Sequence, residues 1–296
     1  MPYCEDMVTP MEFQLKGRRL TLDRPLLMGI VNVTPDSFFD GGRFCDPQLA
    51  VAHALRLVEE GADLLDIGAE STRPGASPVD EREERRRLVP IVAAVVKAVS
   101  VPISVDTSKA EVARAAIDAG AVMVNDVTAL RGDNAMVDVV AQTGAGLALM
   151  HMRGTPKTMQ QAPRYDDVVG EVAQFLAERA CFAIEHGVAK DRLVVDPGIG
   201  FGKTLDHNLD LLANLRVFTE LGYPLLVGPS RKGFIGQLTD QSVEARGWGT
   251  AGAVALAVEH GASILRVHDV GSMKDVAKVT VAIARRIAAG VREQHA

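Results

Sequence analysis

Eight short apolar runs recur along this chain of 296 residues, and a polar side chain ends or closely follows each of them. The runs cover residues 26–31, 64–67, 103–105, 121–124, 147–150, 193–195, 225–227 and 264–267. The polar residues are Asn32, Glu70, Asp106, Asn125, His151, Asp196, Ser230 and, in and after the last run, Arg266 and His268. In a parallel β/α barrel the carboxyl ends of all strands lie on one rim, so the pattern predicts a fold and a reaction site together.

Segments with helical spacing of apolar residues separate these runs, and most of them end next to a glycine. We expect helices over 47–60, 80–99, 109–119, 135–142, 166–186, 205–221, 243–260 and 272–292. Alternation of strand and helix favours parallel strands, and eight units in roughly 270 residues predict an α/β fold of the (β/α)8 TIM barrel type. A doubly wound open sheet is the alternative, but no Gly-x-Gly-x-x-Gly sequence follows the first run.

The segment before the first run has a different pattern. Residues 11–25 alternate apolar and polar side chains on either side of Lys16-Gly17-Arg18-Arg19, which predicts a β-hairpin. We expect this hairpin to close the bottom of the barrel. The predicted organisation is therefore an N-terminal segment with a hairpin over residues 1–25 and a single barrel domain over residues 26–293.

Composition limits the classes of partner. The formal net charge of -6 makes a nucleic-acid surface improbable, and no stretch approaches 18 uninterrupted apolar residues, so we expect no membrane span. The three cysteines, Cys4, Cys45 and Cys181, are far apart and odd in number, which argues against a disulfide framework. These features predict a cytoplasmic protein.

Five of the expected rim segments carry distinctive motifs. They are Gly-Ile-Val-Asn-Val-Thr-Pro-Asp-Ser-Phe from Gly29, Asp-Ile-Gly-Ala-Glu-Ser-Thr-Arg-Pro-Gly from Asp66, Asp-Pro-Gly-Ile-Gly-Phe-Gly-Lys from Asp196, Gly-Pro-Ser-Arg-Lys-Gly from Gly228 and Arg-Val-His-Asp from Arg266. Together they resemble the dihydropteroate synthase family of pterin-binding barrels, whose members join a pterin pyrophosphate to p-aminobenzoate in folate biosynthesis. The resemblance runs from about residue 26 to 270.

The resemblance implies a pterin site at four strand ends. Asp106, Asn125 and Asp196 match residues that hold the flat edge of the pterin, and Met150 is expected to line the same pocket. The chemistry is suitable, because a carboxylate accepts paired N–H bonds from an amino-pyrimidinone edge and an amide offers both a donor and an acceptor. The alternative is that the two aspartates cap helices or fix loops.

The resemblance also assigns the chemistry of the leaving group. Lys232 matches a lysine that contacts the pterin beside the aminobenzoate, and Arg266 and His268 match an anion-binding pair for the pyrophosphate, in which the imidazole can add a charged donor. Asn32 matches a ligand of Mg²⁺, whose shell is otherwise completed by water and phosphate. Asp36 is expected to order Mg²⁺ or to stabilise the carbocation.

A third group implied by the resemblance lies around the second substrate. Thr72 matches a contact to the pyrophosphate of the pterin substrate, and the residues expected around the aminobenzoate are Arg73, Pro74, Phe201 and Ser230. Family members are typically homodimers, so we expect a homodimer here. Two other functions stay open, namely a pterin-binding paralogue without catalysis and a methyltransferase domain that moves a methyl group from a folate to a corrinoid protein.

Some patterns favour a structural interpretation. The glycine-rich segment 198–203 lacks the spacing of a P-loop, and we expect Lys203 at its end to be solvated. The charged run 81–87 is typical of an exposed, salt-bridged helix face. His151 receives only a structural role.

Overall fold

The structure is a computed structural model that describes residues 11–33 and 47–293, with side chains of the last helix described to residue 287. The strands are β1 (Met11–Leu15), β2 (Arg18–Leu22), β3 (Leu26–Asn32), β4 (Leu64–Gly68), β5 (Ile103–Asp106), β6 (Met123–Asp126), β7 (Gly146–Met150), β8 (Leu193–Asp196), β9 (Leu226–Val227) and β10 (Ile264–Val267). The helices are α1 (Pro47–Glu60), α2 (Glu81–Ala98), α3 (Ala110–Asp118), α4 (Met136–Thr143), α5 (Val168–Glu185), α6 (Leu205–Ala213), α7 (Arg216–Thr219), α8 (Gly233–Thr239), α9 (Gly247–Glu259) and α10 (Val270–Glu293).

Strands β3 to β10 form one parallel sheet whose order closes on itself. The six strands β3 to β8 pair in chain order, so that β3 pairs with β4 and, at the end of the series, β7 pairs with β8. Strand β10 pairs with both β3 and β9. The remaining gap, between β8 and β9, is bridged by Val195 and Leu225, and the Val195 N–H donates to the Pro224 carbonyl at 3.0 Å. The predicted eight-stranded barrel is therefore confirmed.

The register of the strands places the expected functional residues in one row. Asn32 is paired with Gly68, Gly68 with Asp106, and Asp106 with Asn125. Because equivalent positions of neighbouring parallel strands lie side by side, these residues from separate parts of the chain share the carboxyl rim. Gly68 has no side chain to separate them, and a Cβ built there would lie 3.2 Å from the Cβ of Asp106.

The hairpin of β1 and β2 packs into the opposite end of the barrel. Phe13 and Leu15 are buried against the inward side chains of the barrel strands, Leu26 and Leu64 among them. At Gly146 an added Cβ would lie 2.6 Å from Leu15 Cδ2, so the missing side chain leaves the space that the hairpin fills. The predicted hairpin and its place at the amino end of the strands are confirmed. A separate, larger core lies between the sheet and the helices.

Some helix predictions need correction. The helix expected over 205–221 is two helices, because Asn214 leaves helical geometry at φ -116° and ψ 27° between α6 and α7. The segment expected as one helix over 243–260 begins with a 3-10 turn, Val243–Ala245, before α9. Helix α8 was not predicted, since it is short and begins with Gly233. Within the part of the chain described above, no helix is long and apolar enough to cross a membrane.

Candidate active site

A cleft at the carboxyl rim brings most of the predicted site residues together. It contains about 310 Å³ of empty space, part of it open to solvent. Its lining includes seven of the predicted residues, Asp106, Asn125, Met150, Asp196, Phe201, Lys232 and Arg266, together with Val127, Ile199 and Gly228. These side chains come from five strand ends and two loops, so the barrel closure is what assembles them.

An ion-pair network joins the floor of the cleft. The Arg266 Nε donates to Asp66 Oδ2 at 2.6 Å and its Nη2 donates to Asp106 Oδ2 at 3.0 Å. Asn125 Nδ2 donates to the same Asp66 oxygen at 3.0 Å. Two acceptors in this network, Asp66 Oδ1 and Asn125 Oδ1, are buried without a hydrogen-bond partner in the described residues. Arg266 is thus held in place by two carboxylates, and Asn125 keeps an acceptor free for a ligand.

Asp66 is a site residue that the sequence reasoning missed. Its side chain is fully buried in the middle of β4. A charged residue inside a buried apolar run is unusual unless it is paired, and this was the signal available in the sequence. Its partner Arg266 lies 200 residues further along the chain, so only the barrel reveals the pair.

Burial also changes the acidity of the two aspartates that line the cleft, Asp106 and Asp196. It raises the pKa of Asp106 to about 7; the Arg266 guanidinium opposes this shift and the Asp66 carboxylate adds to it. Burial likewise raises the pKa of Asp196 to about 6, although Asp196 Oδ1 accepts a 2.7 Å hydrogen bond from the Gly198 N–H. Both groups therefore titrate near neutral pH in the unliganded cleft.

Lys232 and Phe201 form one wall of the cleft. The Lys232 ammonium lies 4.1 Å from the centroid of the Phe201 ring, a cation–π distance. Burial, together with the nearby Arg266, lowers the pKa of Lys232 to about 8. Gly200 has φ +86°, and a Cβ at this position would lie 3.2 Å from the Lys232 side chain. The wall thus combines a cation and an aromatic ring, and Gly200 leaves room for the Lys232 side chain.

His268 is oriented by Ser230. The backbone N–H of His268 donates to Ser230 Oγ at 3.2 Å. The hydroxyl proton of Ser230 is therefore available to donate to the ring atom His268 Nδ1, which lies 2.9 Å from Oγ. With the Ser230 hydroxyl as donor, a neutral His268 carries its proton on Nε2. Burial and Arg266 lower the pKa of His268 to about 3. Burial thus favours the neutral imidazole over the charged donor that the resemblance implies.

The prediction that Lys203 is solvated is wrong. Its side chain is 2% exposed, and Nζ donates to the carbonyls of Gly198 at 2.9 Å and Phe201 at 3.0 Å. It also lies 3.0 Å from His151 Nδ1, which gives His151 its structural role. Gly198 has φ +69°, and a Cβ there would collide with the His151 carbonyl oxygen. The glycine-rich loop therefore curls around the lysine, a placement that spacing alone does not reveal.

The other predicted residues that the structure describes are not part of the lining of this cleft. Thr72 is partly buried, whereas Arg73 and Pro74 are exposed in the loop that follows β4. Asn32 is partly buried at the end of β3, and Asp36 lies outside the described residues. In residues 11–33 and 47–293 no three His, Cys, Asp or Glu side chains group closely enough to hold a metal ion. A cage of carboxylates for Mg²⁺ is therefore not present there.

The geometry defines a barrel enzyme site for a flat, hydrogen-bonding heterocycle, and the comparisons agree. A sequence profile of the family described as "Pterin binding enzyme" matches residues 28–268, and the chain belongs to this family. Within the family it belongs with the dihydropteroate synthases. The enzyme of that name from Escherichia coli K12 is 45% identical over 272 residues, which cover 92% of this chain and 96% of that one. The Synechocystis enzyme is 46% identical over 263 residues, covering 88% and 91%.

Solved structures give the same relationship. A dihydropteroate synthase from Xanthomonas albilineans with 4-aminobenzoic acid is 52% identical, covers 93% of this chain and 98% of its own, and superposes with a TM-score of 0.87. The Yersinia pestis enzyme in a sulfonamide drug complex is 43% identical, covers 92% and 99%, and has a TM-score of 0.87. The similarity extends over the whole barrel.

Proposed function

We propose that this chain condenses 6-hydroxymethyl-7,8-dihydropterin pyrophosphate with p-aminobenzoate to form 7,8-dihydropteroate and pyrophosphate. The observation that carries the proposal is the convergence of Asp106, Asn125, Asp196, Lys232 and Arg266 on one cleft. A structure of the Xanthomonas albilineans relative contains 7,8-dihydropteroate, the product of this reaction. The methyltransferase alternative has no such support among the relatives described above.

The pterin is proposed to bind with its ring edge on the buried polar groups. The ionised Asp196 accepts N–H bonds from the amino-pyrimidinone edge, with Asp106 as the second carboxylate. Asn125 Oδ1, which lacks a partner in the described residues, accepts a ring N–H. An apolar face of the ring packs against Met150, and Phe201, which the resemblance places around the aminobenzoate, lines the same cleft beside Lys232. Each group on the ring edge thus meets a complementary group of the protein.

The reaction requires that the bond between the pterin methylene and pyrophosphate breaks. The electron pair of this C–O bond leaves with the pyrophosphate, and the remaining cation is stabilised by the pterin ring. The aminobenzoate nitrogen then attacks the methylene carbon and loses a proton. The protein contributes by orienting the two substrates and by neutralising the charge that grows on the leaving group.

Two side chains are proposed to receive that charge. Arg266 uses Nε and Nη2 for Asp66 and Asp106, so its Nη1 is available for a pyrophosphate oxygen. His268 presents its Nε2–H, because Ser230 engages Nδ1. Lys232 lies over Phe201 between the two substrates, where the new bond forms. No covalent enzyme intermediate is needed, and the sequence contains no Ser-His-Asp order or activated cysteine that would supply one.

Mg²⁺ is proposed to enter with the pyrophosphate. Asn32 offers a single neutral oxygen at the end of β3, which suits an ion that keeps water and phosphate oxygens in its shell and binds few protein groups. The lack of a carboxylate cage in the described residues fits such a substrate-borne ion. When bound, Mg²⁺ would neutralise part of the leaving-group charge, and Asp36 is proposed to help order it.

A homodimer is proposed through the face of α9 and α10. These adjacent helices leave several apolar side chains in water, which are Trp248 at 91% exposure, Leu256, Val279, Ile283 and Ile287. Val279, Ile283 and Ile287 recur every fourth residue and form one stripe, the arrangement of a helix that packs on another. A second copy of this chain is the proposed occupant. Sedimentation of the wild type as a dimer and of the Ile283→Asp variant as a monomer would support this proposal. Sedimentation of both proteins as monomers would reject it.

A cytoplasmic location is proposed from the cysteines. The chain has three, and Cys181 is a free thiol on the surface. Free exposed thiols are typical of reducing compartments.

Release of pyrophosphate tests the proposed reaction. Purified protein is mixed with Mg²⁺, the pterin pyrophosphate and p-aminobenzoate, and both products are measured. Formation of dihydropteroate that depends on all three additions is the expected result. Pterin binding by calorimetry without any product would instead identify a non-catalytic paralogue.

A further inference from the structure

A second ion network lies beneath the loop that follows β4. The Lys109 ammonium contacts the carboxylates of Glu70 and Glu84. Glu70 stands at the start of the loop, Glu84 lies in the first turns of α2, and Lys109 immediately precedes α3. One cation therefore joins a loop to two helices that pack on each other. None of the three residues lines the cleft described above.

The helical end of this network is buried. Glu84 is fully buried, and its Oε1 atom has no hydrogen-bond partner in the described residues, so Lys109 supplies the charge that compensates it. Burial raises the pKa of Glu84, although the Lys109 ammonium opposes this shift. The expectation that residues 81–87 form a wholly exposed charged face is therefore wrong at this position. The remaining contact of Lys109, to the partly exposed Glu70, adds nothing to the burial of Glu84 and acts on the loop.

The same loop is held at a second point near its tip. The Gly75 N–H donates to the Pro156 carbonyl of another rim loop at 2.9 Å, and the Ala76 N–H donates to the Arg73 carbonyl at 3.1 Å to close a turn. Gly75 adopts φ +81°, which favours glycine. Thr72 and Arg73 lie between the two attachment points. The contact of Glu70 and the hydrogen bond of Gly75 therefore bound the segment that carries these two side chains.

We propose that Lys109 is a positioning residue that, anchored on Glu84, holds Glu70 and thereby sets the place of Thr72 and Arg73 for the second substrate. The inference rests on the proposed function, because the loop residues matter only if p-aminobenzoate binds beneath them. Pre-ordering of a loop lowers the entropy that substrate binding must otherwise supply. The expected consequence is an effect on KM for p-aminobenzoate with little effect on the pterin pocket.

Glu70→Gln tests the loop contact alone, because it leaves the buried pair of Lys109 and Glu84 intact. We expect KM for p-aminobenzoate to rise by about two- to fivefold while kcat changes by less than about 1.5-fold. Amide hydrogens of residues 70–77 should exchange faster, and binding of the plain pterin should be unchanged. Glu111→Gln is the matched control, because the Glu111 carboxylate is exposed on α3 and makes only a weak ion pair, with 4.0 Å between its Oε1 and Arg114 Nε. It should leave all these values unchanged.

Lys109→Met removes both contacts and leaves the buried Glu84 carboxylate without its cation, so a loss of folding in this variant would be uninformative by itself. The double variant Lys109→Met/Glu84→Gln removes the buried charge as well and still lacks the contact with Glu70. It should fold and show the raised KM. The Lys109→Arg variant keeps a cation at this position, so its KM should stay close to the wild-type value. A wild-type KM in the folded double variant would overturn the proposal.

The readouts separate this proposal from the proposed reaction. If the wild type forms no dihydropteroate, the proposed function fails, and amide exchange in the loop still measures the effect of Glu70→Gln. If the wild type is active and Glu70→Gln changes neither KM nor exchange, the positioning role is rejected while the function stands.

Discussion

Substitution of Asp196 by asparagine removes one negative charge from the centre of the cleft and keeps the shape of the side chain. Asp196 is 5% exposed, and one of its oxygens is already engaged by the Gly198 N–H at 2.7 Å. The amide oxygen of asparagine can keep that bond, which turns its NH2 group towards the N–H donors of the pterin edge. The variant therefore loses a charge-assisted hydrogen bond worth about 1.5–3 kcal/mol. This corresponds to a loss of pterin affinity of roughly 10- to 150-fold.

The loss should depend on pH in a defined direction. The pKa of Asp196 is raised to about 6, so its carboxylate is ionised at pH 8 and largely neutral at pH 5. The advantage of the wild type over the variant should be complete above about pH 7 and should shrink as the pH falls through 6.

Isothermal titration calorimetry with a plain pterin at pH 5, 6, 7 and 8 measures this effect. Stability provides the control for folding. A carboxyl group whose pKa is raised by the fold stabilises the folded state below its unfolded pKa and loses that contribution as the pH rises through 6. The neutral asparagine avoids the cost of a buried charge, so the melting temperature at pH 8 should not fall. Equal affinities of both proteins at pH 8 would refute the assignment of Asp196 to the pterin edge.

Three further substitutions test other parts of the site and fold. Arg266→Ala should weaken binding of pyrophosphate and of pterin pyrophosphate much more than binding of plain pterin, as measured by calorimetry; equal losses would argue against contact with the leaving group. Lys203→Met should lower the free energy of unfolding, measured in urea, by about 2–4 kcal/mol, because the Gly198 and Phe201 carbonyls lose their buried donor. An unchanged midpoint of unfolding would show that the lysine does not hold the loop. Gly146→Val should destabilise the protein by about 2–3 kcal/mol through its clash with Leu15. The control Gly75→Ala, which meets open space at a loop position, should cost about 1 kcal/mol, and similar values for both would contradict tight packing of the hairpin.

The sequence alone was sufficient for the architecture and for most of the lining of the cleft. The period of the apolar runs and the polar residues at their ends are local properties, and a parallel barrel converts them into one rim. The pattern places Asp106, Asn125, Asp196 and Arg266 on one rim, and the resemblance to dihydropteroate synthases assigns them to one substrate site. The hairpin could also be assigned, because alternation around a turn is a short-range signal.

Contacts between distant residues were decided only by the tertiary structure. Asp66 and Arg266 are 200 residues apart, and no local pattern distinguishes a lysine caged by carbonyls, such as Lys203, from a solvated one. Glu84 lies in a charged run that reads as exposed, and its partner Lys109, just before α3, is brought to it only by the packing of the two helices. Hydrophobic period and strand order are written along the chain, whereas the pairing and burial of each charge depend on which segments the closed barrel brings together.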